Sequence, residues 1–162
     1  MSVPLSKVGV AGLGPRGVAI GNRLRATGFR VIGYDGDVQA AAQSGLRTAG
    51  SPQRLAQEAE VEIVALDGED AAALTQGLLE FEGGLSALTA VALCGALEPR
   101  RVRQLAAHAA AKGIALVDAP IDGGEEAISA GRAVVFAGGS QAAIDQCQPC
   151  LLYTSDAADD LT

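Results

Sequence analysis

Six residues near the amino terminus have the types and spacing that could bind a phosphate group. In the pattern G-x-G-x-x-G, the first glycine permits a tight turn and the second lets the backbone approach a diphosphate. The third allows a helix to pack closely on a strand. N–H groups at the positive end of that helix would bind the phosphate oxygens. The six residues are Gly12, Leu13, Gly14, Pro15, Arg16 and Gly17.

A carboxylate follows this turn at the distance typical of dinucleotide-binding proteins. Asp35 lies about 20 residues after Gly14, where a strand over residues 30–34 is predicted to end. Such an acid accepts hydrogen bonds from the adenosine ribose and repels the 2′-phosphate of NADP, and neither Gly36 nor Asp37 supplies a cation. The sequence therefore predicts NAD as the cofactor, with NADP as the alternative. A cap for the next helix is a second role open to Asp35.

The elements that must position these residues alternate along the chain. Short β-branched runs alternate with alanine-rich amphipathic stretches, which is typical of βαβ units. The predicted fold class is α/β, a Rossmann-type doubly wound, mostly parallel sheet within one domain over residues 1–149. Predicted strands cover residues 7–11, 30–34, 61–66, 89–93, 114–118 and 133–137, and predicted helices cover 15–27, 37–44, 69–79 and 98–112, with further helices beginning at 51 and 140.

Composition excludes several classes of protein. Twelve Lys and Arg against 19 Asp and Glu give a net charge of −7, the wrong sign for a surface that binds nucleic acid or anionic membranes. No apolar run approaches the roughly 20 residues of a membrane span, and no signal peptide opens the chain. We therefore expect a cytoplasmic protein with no nucleic-acid or membrane partner. No cluster has metal-ligand spacing, and the C-x-x-C of Cys147 and Cys150 is interpreted as chance, because neither a helix start nor a second pair accompanies it.

The last thirteen residues, 150–162, depart from the preceding pattern just where a helix should continue. Their sequence resembles the translation of a sequencing adapter. We therefore expect a non-native tail here and a natural gene that is longer, with a natural acidic tail as the alternative.

A second glycine-containing loop follows the strand predicted over residues 114–118. It reads Asp118-Ala119-Pro120-Ile121-Asp122-Gly123-Gly124, and loops in this position bind ligands on doubly wound sheets. Together with the glycine turn and Asp35, this loop resembles the N-terminal domain of the β-hydroxyacid dehydrogenases, the family of 3-hydroxyisobutyrate and 6-phosphogluconate dehydrogenases. The resemblance spans residues 7 to about 149.

The resemblance implies a nicotinamide-binding domain followed by an all-helical domain, which completes the active site and usually forms a homodimer. It places the substrate at Asp122, Gly123 and Gly124, where Asp122 stands in place of the family's serine. A carboxylate there would repel a hydroxyacid's carboxylate by about 1 kcal/mol or more. The resemblance also implies cofactor contacts from two loops, at Leu66 and Asp67 and at Gly95 and Ala96.

The family's catalytic lysine is expected beyond residue 162, because neither Lys7 nor Lys112 matches its position. The chain is therefore predicted to contain no catalytic residue, and to bind cofactor without turnover. The primary interpretation is the NAD(P)-binding domain of an oxidoreductase that acts on a small hydroxyacid-type substrate. The alternatives are an imine reductase-like enzyme and a non-catalytic nucleotide-binding or redox-sensing module.

Overall fold

Six parallel strands form the central sheet of this chain, whose computed structural model describes residues 7–84 and 87–154. Their spatial order is β3-β2-β1-β4-β5-β6, so the direction of winding reverses between β1 and β4. This is the order of a doubly wound dinucleotide-binding sheet, and it confirms the predicted fold class. In chain order the strands are β1 (Lys7–Ala11), β2 (Arg30–Tyr34), β3 (Arg47–Thr48), β4 (Val61–Val64), β5 (Ala90–Leu93) and β6 (Ala115–Asp118).

Seven helices connect or follow the strands in the described residues. Several begin where local chemistry favours it: Pro15, Pro52 and Pro99 occupy the first helical positions, where a missing N–H costs nothing. The Ser51 hydroxyl accepts the N–H of Arg54 as an N-cap at 3.1 Å. The helices are α1 (Pro15–Ala26), α2 (Val38–Gln43), α3 (Pro52–Glu58), α4 (Gly68–Glu80), α5 (Pro99–Ala111), α6 (Glu125–Ser129) and α7 (Gln141–Thr154).

Helices cover both faces of the sheet, which places buried side chains on each. Val61 and Ile63 of β4 belong to a core that includes residues of α1, α6 and α7. Val64 belongs to a second core with residues of α4 and α5. Glu62 lies between Val61 and Ile63 in the strand and is fully buried. None of the helices within residues 7–84 and 87–154 combines the length and hydropathy needed to cross a membrane.

The strand predicted over residues 133–137 does not join the parallel sheet. Only Val134–Val135 form a strand, β8, and it pairs in antiparallel register with β7 (Ile121–Asp122). The sixth strand of the parallel sheet is instead β3. It was not predicted, because a strand of two residues is too short to show a periodic pattern. The strand predicted over 61–66 ends at Val64, which leaves Ala65, Leu66 and Asp67 in a loop at the carboxyl edge.

The change of sequence pattern at residue 150 falls within helix α7. Helix α7 continues to Thr154, and Cys150 and Leu151 are buried against the core. The reason is the spacing of Ala143, Cys147, Cys150 and Leu151, which places four apolar side chains on one helical face. Residues 155–162 lie outside the described residues, and the adapter origin of the tail stays a prediction.

Candidate functional site

Two glycines of the turn between β1 and α1 are required by the packing of the chain itself. Gly12 has a φ of +95°, and a Cβ there would lie 2.8 Å from the Ala65 carbonyl oxygen. A Cβ on Gly17 would clash with the carbonyl oxygen of Gly12. The N–H of Gly12 also donates to the Tyr34 carbonyl at 2.8 Å, which fixes the turn at the carboxyl edge of the sheet.

Gly14 is different, because none of the described residues excludes a side chain at this position. Its φ is −71°, which any residue adopts, and no atom of residues 7–84 and 87–154 lies within 4 Å of a Cβ built there. It is the N-cap of α1, but it offers no side-chain cap, and the first turn of that helix contains no acidic residue. Open space therefore borders the positive end of α1, where backbone N–H groups attract an anion. These residues fit the diphosphate of a dinucleotide.

Asp35 holds the turn through both of its carboxylate oxygens. Oδ2 accepts the N–H of Leu13 at 2.7 Å, and Oδ1 accepts the N–H of Asp37 at 2.8 Å. A carboxylate has about four acceptor directions, so two remain for ribose hydroxyls. Sequence reasoning missed the bond to Leu13, and the helix-cap role open to Asp35 belongs to Asp37, whose Oδ1 accepts the N–H of Gln39 at 2.9 Å.

The loops after β4 and β5 lie directly against each other. Asp67 Oδ1 accepts the N–H of Ala96 at 2.7 Å and a guanidinium N–H of Arg16 at 3.2 Å. The Ala96 hydrogen bond is the main cause that holds the pKa of Asp67 below its usual value, and Arg16 adds to it against the opposing effect of burial. A Cβ on Gly95 would clash with the Leu66 carbonyl oxygen, so this close approach requires glycine. The predicted residues Leu66, Asp67, Gly95 and Ala96 thus form one connected group.

An open cleft of about 400 Å³ lies between the glycine turn and the second glycine loop. It brings together many of the predicted site residues, and Glu125, at the start of α6, is a lining residue that the sequence analysis did not single out. Asp122 is exposed in β7, and Leu13 is buried with its side chain against Gly33. The lining residues are Gly14, Pro15, Arg16, Gly17, Ala65, Asp67, Gly123, Gly124 and Glu125.

The three cysteines are buried in the apolar core. Burial is the main cause that raises the pKa of Cys94 and of Cys147 to about 12, which favours the unreactive thiol. Cys147 and Cys150 lie within α7 rather than at its start, and the Cys150 thiol donates to the Cys147 carbonyl at 3.1 Å. This environment agrees with the interpretation of their spacing as chance.

Comparison with known proteins identifies the family of this chain. The family described as the NAD binding domain of 6-phosphogluconate dehydrogenase matches residues 7–159. The chain belongs to this family. It is accordingly an NAD-binding domain, and the resemblance inferred from the sequence is confirmed.

Individual relatives agree with this membership. A 2-(hydroxymethyl)glutarate dehydrogenase from Eubacterium barkeri is 28% identical over 152 residues, which are 90% of this chain and 50% of the relative. The chain thus spans about half the length of the curated relatives it matches. A 3-hydroxyisobutyrate dehydrogenase from Mycobacterium tuberculosis, solved with L-serine, superposes with a TM-score of 0.82 at 22% identity. The superposition covers 94% of this chain and 53% of the dehydrogenase chain.

An imine reductase from Myxococcus stipitatus, solved with NAD+, superposes with a TM-score of 0.81 at 14% identity. The likeness covers 99% of this chain and 54% of the reductase. At this identity the likeness shows a shared fold.

Proposed function

We propose that this chain is the cofactor-binding part of an oxidoreductase that uses NAD and a small hydroxyacid-type substrate. The observation that carries the proposal is the open space at Gly14, which no described part of the chain fills although no backbone constraint requires glycine there. When bound, the nicotinamide cofactor supplies the site that gives or takes a hydride.

Different residues of the chain would bind different parts of the cofactor and the substrate. Backbone N–H groups at the start of α1 would bind the diphosphate, and Asp35 would accept the hydroxyls of the adenosine ribose. Across the cleft, Gly123 and Gly124 leave backbone amides accessible to a small substrate. The catalytic lysine beyond residue 162, the homodimer and the cytoplasmic location stay predictions drawn from the sequence.

Fluorescence titration of the full chain with NADH and with NADPH tests this proposal. We expect saturable NADH binding, and NADPH binding at least about tenfold weaker because Asp35 repels the 2′-phosphate. Tighter binding of NADPH would overturn the role given to Asp35. Absence of binding by both cofactors would overturn the proposed function itself.

Asp35→Asn is expected to reduce the preference for NADH over NADPH. The substitution removes the negative charge, and its amide NH₂ would face one of the two N–H donors now bound by Asp35. We therefore expect NADH to bind about tenfold more weakly, NADPH to change little, and stability to fall by about 1–3 kcal/mol. Asp37→Asn is the matched control, since asparagine caps helices as well as aspartate. An unchanged ratio of the two affinities in Asp35→Asn would contradict the prediction.

The imine reductase alternative is favoured by the charge beside the substrate loop. Asp122 and Glu125 are exposed, and Glu125 lines the cleft, so this side of the cleft carries carboxylates. Carboxylates attract an iminium cation and repel a hydroxyacid anion. Two assays of the complete enzyme distinguish the two substrate classes. One measures NADH oxidation in the presence of a cyclic imine, and the other measures NAD reduction in the presence of a 3-hydroxyacid. A module without enzymatic function would turn over neither.

A further inference from the structure

Arg16 carries a positive charge at a position where the glycine-turn pattern does not require one. It occupies the second residue of α1, and its side chain is 31% exposed. The cleft that it lines also contains two acids, Asp67 and Glu125. An anion that enters this cleft therefore meets repulsion from the two acids, and attraction from Arg16 and the helix start.

Some backbone N–H groups of the glycine turn cannot donate to a ligand. The N–H of Leu13 donates to Asp35, and Pro15 has no N–H. The amides of Gly14, Arg16 and Gly17 are what the turn can offer to the diphosphate. Because a diphosphate bridge carries two negative charges, a cationic side chain at this point would supply the missing electrostatic contact.

The guanidinium of Arg16 is held in place but is not saturated. One N–H donates to Asp67 Oδ1 at 3.2 Å, and the same oxygen accepts the Ala96 N–H at 2.7 Å. Within residues 7–84 and 87–154, the Nε of Arg16 is buried and has no hydrogen-bond partner. A guanidinium has five N–H donors. The Nε–H is covered by the protein and is out of reach of a ligand. Asp67 accepts only one N–H of the two terminal nitrogens, and the side chain is 31% exposed at the cleft, so the other terminal N–H groups can donate to a phosphate oxygen there.

We propose that Arg16 binds a diphosphate oxygen of the cofactor and that Asp67 is its positioning residue. The inference rests on the proposed function, because it takes a dinucleotide as the ligand. Asp67 orients the guanidinium through one oxygen, and the Ala96 amide in turn fixes Asp67. The loops after β4 and β5 thereby align a charge at the start of α1.

Arg16→Met tests the cationic contact, because methionine keeps an unbranched side chain and removes the charge. NADH fluorescence titrations of the full chain would be measured at several salt concentrations, with ADP as a competitor. We expect NADH and ADP to bind about tenfold more weakly to Arg16→Met, and the salt dependence of binding to become shallower. Arg25→Met removes the same charge from the same helix, on the side where Arg25 contacts the Gly45 carbonyl, and should leave both quantities unchanged.

Asp67→Ala and Asp67→Asn test the positioning role. Alanine removes the acceptor for both Arg16 and Ala96, so we expect NADH to bind about threefold or more weakly. Asparagine keeps an acceptor oxygen in the same place and removes a charge that repels the diphosphate, so NADH should bind to Asp67→Asn at least as tightly as to the unmodified chain. Weaker binding of NADH by Asp67→Asn would overturn the positioning role, because a carboxylate charge rather than orientation would then be required.

The outcomes also separate this inference from the proposed function. NADH binding by the unmodified chain, with the same affinity and salt dependence in Arg16→Met, would overturn the inference and leave the proposed function intact. Absence of NADH and NADPH binding by the unmodified chain would overturn both. Thermal unfolding of each variant identifies a loss of binding that comes from misfolding, and Arg16→Lys, which keeps the charge, should then recover part of the affinity and its salt dependence.

Discussion

Gly14→Val is expected to weaken NADH binding about ten- to hundredfold while the chain stays folded. The valine methyl groups would enter the open space at the start of α1, and overpacking of such a site costs about 1–3 kcal/mol of binding free energy. The chain tolerates the change, because Gly14 has an ordinary φ of −71° and no atom of the described residues lies within 4 Å of a Cβ built there. Valine is a poorer N-cap than glycine, which should cost no more than about 1 kcal/mol of stability. NADH fluorescence titration and thermal unfolding measure the two effects separately.

Gly77→Val provides the matched control for this prediction. Gly77 lies on the exposed side of α4, and no atom in the described part of the chain lies within 4 Å of a Cβ built there. Valine is slightly better than glycine within a helix, so stability should hold or rise, and NADH affinity should not change. Equal NADH affinity in Gly14→Val and the unmodified chain would show that the space at Gly14 does not hold the diphosphate.

Glu62→Met is expected to stabilise the chain at pH 7 by about 3 kcal/mol. Glu62 lies in β4 with its side chain fully buried, and within the described residues neither carboxyl oxygen has a hydrogen-bond partner. This burial raises the pKa of Glu62 from 4.5 to about 8. Methionine has a similar length, no ionisable group and a flexible shape that fits apolar cores.

The contribution of Glu62 to the free energy of unfolding depends on pH. Below pH 4.5 the carboxyl group is protonated in both states. Between pH 4.5 and about 8 the unfolded chain ionises Glu62 while the folded chain keeps it protonated. Stability therefore falls by about 1.4 kcal/mol per pH unit across this window and levels off above pH 8.

Urea unfolding of the unmodified chain and of Glu62→Met, from pH 4 to pH 9, measures this contribution directly. The difference between the two should be smallest near pH 4 and largest above pH 8. Glu82→Met replaces an exposed carboxylate and should change stability by no more than about 0.5 kcal/mol at any pH. A constant difference between Glu62→Met and the unmodified chain would contradict the raised pKa.

Glu62 also illustrates why the sequence misses part of the core. A polar residue between Val61 and Ile63 is typical of a strand with one face in water. The structure covers both faces of β4 with helices, so the same residue becomes fully buried. Strand periodicity reports alternation, but it does not report what packs on each face.

The candidate site was predictable where it depends on neighbours in the chain. The glycine turn follows β1 directly and opens α1, and Asp35 follows β2 directly, so strand, turn and helix signals locate these residues without tertiary information. The contacts among Arg16, Asp67 and Ala96 join residues 51 and 29 positions apart along the chain. No local pattern reports such pairs, and the bond from Leu13 to Asp35 was missed for the same reason.

By itself, the sequence determined the alternation of strands and helices, the phosphate-binding turn, and an acid at the end of β2, because these depend on short-range periodicity and turn chemistry. Only the tertiary structure decided that β3 completes the sheet and that α7 runs past residue 150. It also decided that Asp67 connects Arg16 to Ala96. Those features depend on which surfaces meet when the chain adds strands to both sides of the sheet, outward from β1 and β4. Contacts between such distant segments are set by packing rather than by the spacing of residues in the sequence.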